Sequence, residues 1–191
     1  PAFDSIRAFG NVIYTKGSAV YWMLEELLGR EGLLAVLRAY YERHLFRNAS
    51  TQDLVAVAEE VSGRRLDWFF AQWLGTSHVL DVALEQVSQT VQSGGAHVVR
   101  LELRHRGQAR MPVRARVWTA AGTDEAIWDG MAEQGELELV LAAPPIRVAL
   151  DPEHRLLESA RKNNRWPAGT AALAVLALGG LVLARSRCGN R

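Results

Sequence analysis

The stretch IYTKGSAVYWMLEELLG, residues 13–29, sets a tyrosine and a lysine directly ahead of a glycine, at the point where an amphipathic period begins. Val20, Met23, Leu24, Leu27 and Leu28 recur at the helical spacing i, i+3, i+4, i+7, i+8, while Glu25, Glu26 and Arg30 lie elsewhere. That is one stripe of a helix facing a core, and Gly29 suits the left-handed residue that ends it. A phenol at position 14, just before such a helix, needs a reason.

The same period continues outward. Leu33, Val36, Leu37, Tyr40, Tyr41 and His44 predict a second helix, with Arg38, Glu42 and Arg43 left for solvent. Ser50 stands three residues before Asp53, a capping-box arrangement, and Leu54, Val57, Ala58 and Val61 then form a stripe that Gly63 ends. Leu66, Phe69, Phe70, Trp73 and Leu74 make a fourth pattern, closing on Gly75. Short connections between the patterns imply a compact antiparallel helical layer.

After about residue 79 the period drops from 3.6 to 2. Val99, Leu101 and Leu103 alternate with Arg100, Glu102 and Arg104; Val113, Ala115 and Val117 with Arg114, Arg116 and Trp118; Leu137, Leu139 and Leu141 with Glu136 and Glu138. Ile146, Val148 and Leu150 follow the rule after Pro144-Pro145, and Gly94-Gly95 supplies a turn. Strands at this spacing predict a small antiparallel sandwich.

Composition narrows the function classes. The 191 residues are 49% hydrophobic and 23% charged, with a formal net charge of +1 and no basic face, which argues against a nucleic-acid partner. Cys188 is the only cysteine, so neither an internal disulfide nor a cysteine-based zinc knuckle is available. From Ala168 to Ala184 no charged residue occurs. As a helix this run covers roughly 25 Å of a hydrocarbon core of about 30 Å, and with Trp166 before it and arginines on both flanks it predicts a transmembrane helix contacting lipid. Cys188, just past it, is a place where a palmitoyl chain would fit. Pro1-Ala2-Phe3-Asp4 has neither an initiator methionine nor a signal segment, so the chain reads as the later part of something longer.

Motifs for self-contained catalysis are missing. There is no H-E-x-x-H, G-x-S-x-G or Walker loop, and the histidines at 44, 78, 97, 105 and 154 are dispersed. His154 and Glu158 would share a face if their segment were helical, but no third ligand lies near.

The combination of Y-x-K-G at 14–17, Met23-Leu24-Glu25, the Leu37-Arg38-x-Tyr40-Tyr41 helix, His44 with Phe46-x-Asn48-Ala49, Thr51-x-Asp53-Leu54, Ser62-Gly63 and Phe69-Phe70-x-Gln72-Trp73 resembles the zinc aminopeptidases of the aminopeptidase N and leukotriene hydrolase type. The likeness covers residues 10–75 in the family's order and continues more loosely through Leu150-Asp151-Pro152. It implies an α+β chain of several parts. Residues 1–78 would be the helical C-terminal lobe of a thermolysin-like catalytic domain, 79–152 the β-sandwich, 153–166 a linker, 167–185 the transmembrane helix and 186–191 a basic tail.

In this family a zinc held by the histidines of H-E-x-x-H and a further glutamate activates water, and the tyrosine of Y-x-K-G donates its hydroxyl to the oxyanion. Tyr14 matches that tyrosine. A phenol keeps its proton at neutral pH and meets developing negative charge without bringing a charge of its own. The resemblance therefore implies the C-terminal portion of a membrane-anchored zinc metallopeptidase acting on peptides, with its globular part outside the cytoplasm. The metal ligands and general base lie upstream of such a tyrosine, so this portion alone is expected to be inactive. Thr76-Ser77-His78 replaces the family's Gly-x-Pro, and Lys16 has no role derivable from sequence. The alternative is a noncatalytic binding or scaffolding module on a membrane anchor; oligomeric state is open in either case.

Overall fold

The computed structural model describes residues 11–167, which fall into two compact units. The helical unit reaches to Asp81 and takes in two later segments, Gly107–Met111 and Glu153–Ser159. The strand unit holds Val82–Arg106, Pro112–Pro152 and, of the described residues, 160–167.

A π-helical turn, Asn11–Lys16, leads into α1, Gly17–His44. The stripe on the first half of α1 is buried as its period requires: Val20, Met23, Leu24 and Leu27. Gly29, at φ 72° and ψ 165°, interrupts the helical backbone, so α1 is two helices joined at a bend. The break releases carbonyls of the preceding turn, and the guanidinium of Arg64 donates to that of Leu27. Beyond the bend the buried face narrows to Leu33 and Val36, and Tyr41, expected to be core, is 64% exposed.

Helix α2, Thr51–Ser62, begins with a complete capping box: the Asp53 amide donates to Ser50 Oγ at 3.2 Å and the Ser50 amide to Asp53 Oδ2 at 2.7 Å. It ends on Gly63 in the left-handed conformation. Helix α3, Asp67–Gly75, buries Phe69, Phe70 and Trp73. Its first free amides, those of Leu66 and Asp67, donate to Glu59 Oε1 at 2.7 and 3.0 Å. Leu74, expected on the same stripe, faces outward. Ala109, Met111 and Leu156, from the two returning segments, complete the buried set of this unit.

The strand unit contains β1 (Val82–Val91), β2 (His97–His105), β3 (Val113–Thr119), β4 (Gly122–Trp128), β5 (Gln134–Leu141), β6 (Pro145–Leu150) and β7 (Arg165–Trp166). They form a three-stranded sheet, β1-β2-β5, and a four-stranded sheet, β4-β3-β6-β7, with antiparallel pairing throughout. Val99, Leu101 and Leu103 of β2 and Val113, Ala115 and Val117 of β3 are buried, as the alternation predicts. Ile146 is not: β3 pairs Trp118 with Arg147 and then Thr119 with Pro145, leaving Ile146 as the extra residue of a bulge, half exposed.

Two expectations are corrected. Among the described residues no helix is long and apolar enough to cross a membrane. The longest, α1, carries Glu25, Glu26, Arg30, Glu31, Arg38, Glu42 and Arg43, charges that a hydrocarbon core excludes. The expected span 167–185 lies, from residue 168 on, outside the described residues. Among the described residues the architecture is thus helices and two antiparallel sheets with no helix that could cross a membrane, and the membrane localisation and lipid contact expected with it are withdrawn. His154 and Glu158 do not share a helix face: their segment is not helical, and His154 has a φ of 58°.

Candidate functional site

Tyr14 sits in the π-helical turn ahead of α1 and is 71% exposed. Wider turns of this kind let a residue leave the helical register, and they concentrate at functional positions. Ser18, in the first turn of α1, fixes the turn from below: its hydroxyl lies 2.7 Å from the carbonyl oxygen of Tyr14 and 3.1 Å from that of Thr15. A serine hydroxyl early in a helix commonly bonds back to the carbonyls three and four residues before it.

Lys16 leaves the same turn in another direction. Its Nζ donates to the carbonyl of Thr76 at 3.5 Å, immediately past the C-terminal end of α3. A cation at that position meets the negative end of the helix dipole and one of its unsatisfied carbonyls. The Thr76 hydroxyl donates to the carbonyl of Gln72 at 2.7 Å and accepts from the His78 amide at 3.1 Å, closing the rest of the helix end. Beside Lys16 lies a cavity of about 300 Å³ lined by Trp73, His78, Leu157 and Glu158 among others.

Helix α3 is itself anchored. The Gln72 side-chain amide donates to the Arg110 carbonyl at 2.7 Å and its oxygen accepts the Arg110 amide at 2.9 Å. This doubles as a strand-like pairing between a side chain and the returning Gly107–Met111 segment, whose Ala109 amide donates to Val79 O at 3.1 Å. A bidentate amide clamp fixes orientation as well as distance. Gln72 and Lys16 belong to motifs visible in the sequence, but their partners are 38 and 60 residues away, beyond any local pattern.

Among the described residues no group of three His, Cys, Asp or Glu side chains converges to hold a metal ion. The described residues therefore do not by themselves form a zinc site.

Residues 2–73 match the peptidase family M1 domain, and over this helical segment the chain is similar to aminopeptidases of the M1 type. Aminopeptidase N of Streptomyces lividans is 34% identical over 76 residues, which are 40% of this chain and 9% of that protein. Aminopeptidase M1-D of Oryza sativa subsp. japonica is 40% identical over 70 residues, 37% of this chain and 8% of that protein. The chain thus spans less than a tenth of the length of either relative. A crystal structure of Legionella pneumophila aminopeptidase A in complex with aspartic acid shares the fold, with a TM-score of 0.62 at 13% identity over 82% of this chain and 18% of that one. The relatives are aminopeptidases of a family that depends on zinc in general.

Proposed function

We propose that this chain forms part of a zinc-dependent peptidase of the aminopeptidase type, in which Tyr14 donates a hydrogen bond from its hydroxyl to the oxyanion formed when the scissile carbonyl is attacked. The observation that carries the reading is the placement of Tyr14: an exposed phenol of the Y-x-K-G motif, directly ahead of a helix with one buried face, on a turn whose carbonyls are tied down by Ser18. The substrate class, a peptide with a free amino terminus, is carried over from the relatives as part of the proposal.

A phenol suits the role. It offers one O–H on a rigid ring with two rotatable bonds, so a fixed backbone leaves little freedom to lose when the donor is aligned. The hydrogen bond strengthens as charge develops on the carbonyl oxygen, so its benefit appears in turnover more than in substrate binding.

The test is Tyr14→Phe in the full-length protein. Cleavage of aminoacyl amides should fall by about two to three orders of magnitude in kcat, the usual loss for one oxyanion donor, with KM changing little. Zinc content, measured alongside, should be unaltered. Unchanged turnover would remove Tyr14 from the mechanism and leave the noncatalytic module as the better account.

A further inference from the structure

Tyr14 is held by its backbone, and the described residues hold that backbone from two sides. Ser18 binds the Tyr14 and Thr15 carbonyls from within α1. Lys16, two residues along the same turn, reaches out of it to the carbonyl of Thr76 at the end of α3. This second tie joins the turn to an element other than the helix it begins, and a π-helical turn at a helix end is prone to fray.

We propose that Lys16 is a positioning residue for Tyr14, its ammonium locking the turn that carries the phenol to the C-terminal end of α3. The proposal rests on the reading of Tyr14 as oxyanion donor. Three further features support it. Helix α3 is a firm anchor, because Phe69 and Trp73 are buried and Gln72 clamps the Arg110 backbone through two hydrogen bonds. The Thr76 carbonyl lies just past the helix C-terminus, where a positive charge is favoured over a neutral donor. Finally, Lys16 lines the cavity beside Trp73 as well as bonding the Thr76 carbonyl.

The experiment uses the full-length protein in four forms besides the native one: Lys16→Met, Lys16→Arg, Tyr14→Phe, and Lys16→Met combined with Tyr14→Phe. Aminoacyl-amide kinetics are read with circular dichroism as a check on folding. Lys16→Met should lower kcat about tenfold with KM changed less than about twofold, because a misaimed donor weakens the transition state and not the ground state. Lys16→Arg, which keeps the charge and a donor, should recover most of that loss. In the double variant kcat should equal that of Tyr14→Phe alone, since a residue that acts through Tyr14 has nothing to align once the hydroxyl is gone.

Native kcat in Lys16→Met, or a further tenfold loss on top of Tyr14→Phe, would overturn the positioning role while leaving Tyr14 in place. Should Lys16→Met fail to fold, Lys16→Arg decides, and a tenfold loss of kcat there would count against the proposal. Native turnover in Tyr14→Phe overturns the reading of Tyr14, and the role of Lys16 with it.

Discussion

In the helical unit Phe46, Tyr14 and Trp22 stand 98%, 71% and 52% exposed, whereas the strand unit covers its outer faces with ion pairs: Arg100 with Glu136 and Glu138, Arg114 and Arg116 with Glu125, Arg106 with Glu85. The exposed aromatics of the helical unit all fall within residues 2–73, the segment that matches the M1 domain. Ion pairs across neighbouring strands are what a sheet does with a wet face. Large exposed aromatics are not needed for helix formation or for the core of that unit, since Met23, Phe69 and Trp73 already fill it. The difference teaches that periodicity identifies a core stripe reliably only where the opposite face is polar. On α1, apolar residues lie on both sides of the helix, and Tyr41 was assigned to the core for that reason.

Truncating the two cores gives the largest expected effects. Trp73→Ala, which removes a side chain 1% exposed, should cost the helical unit about 3–5 kcal/mol, and Leu101→Ala, removing a fully buried residue, should cost the strand unit about 2–5 kcal/mol. Urea unfolding followed by circular dichroism measures both. If Trp22→Ala, at an exposed position, costs as much as Trp73→Ala, the contrast between core and surface aromatics in the helical unit is broken.

Glycine substitutions come next and separate two kinds of backbone constraint. Gly29→Ala meets no neighbouring atom, but at φ 72° and ψ 165° it occupies a region that residues with a Cβ avoid, so a loss of about 1–3 kcal/mol is expected from conformation alone. Gly135→Ala has the opposite problem: an ordinary backbone, but a Cβ that would run into the buried indole of Trp128. Overpacking of this kind typically costs about 1–3 kcal/mol, and Gly135→Ala combined with Trp128→Leu should recover part of it. Equal stability of Gly135→Ala and the native protein would show that the indole gives way at no cost.

Acid sensitivity is the smallest expected effect. The Glu125 carboxyl is held below the usual range by hydrogen bonds from Arg114 and then Arg116, and in the helical unit Glu60 is lowered by its hydrogen bond from Arg43 and Asp53 by the Ser50 hydroxyl. Each folded carboxylate binds its proton less readily than the unfolded chain does, so its contribution is complete above the ordinary carboxylate range and is lost as pH falls through the lowered folded value. These groups are largely solvated, so the pairs are screened and the slope is shallow. Glu125→Gln should flatten the dependence of urea stability on pH below about pH 5, and added salt should flatten it further in the native protein. A native protein equally stable on both sides of that range would remove these carboxylates from its acid response.

Much of the architecture was legible locally. The stripes of Val20, Met23, Leu24 and Leu27, the Ser50–Asp53 capping box, the bend at Gly29 and the alternation in β2 and β3 all appear where the pattern placed them. Strand β4 was not legible, because GTDEAIW has no apolar alternation; it is held to β3 by the ladder and by Glu125 bonded to Arg114 and Arg116. The short strand β7 and the bulge that turns Ile146 outward likewise follow from pairing partners far along the chain.

For the candidate site, sequence by itself determined the motif, the position of Tyr14 before a helix and the similarity of residues 2–73 to the M1 domain. Only the tertiary structure decided that Lys16 reaches Thr76 and that Gln72 clamps the backbone at Arg110. The physical reason is the range of the interactions. Helical and strand periods arise from backbone geometry within a few residues, so they are written into the order of side chains. A polar contact between residues 60 apart exists only once burial of the apolar stripes has brought the chain back on itself.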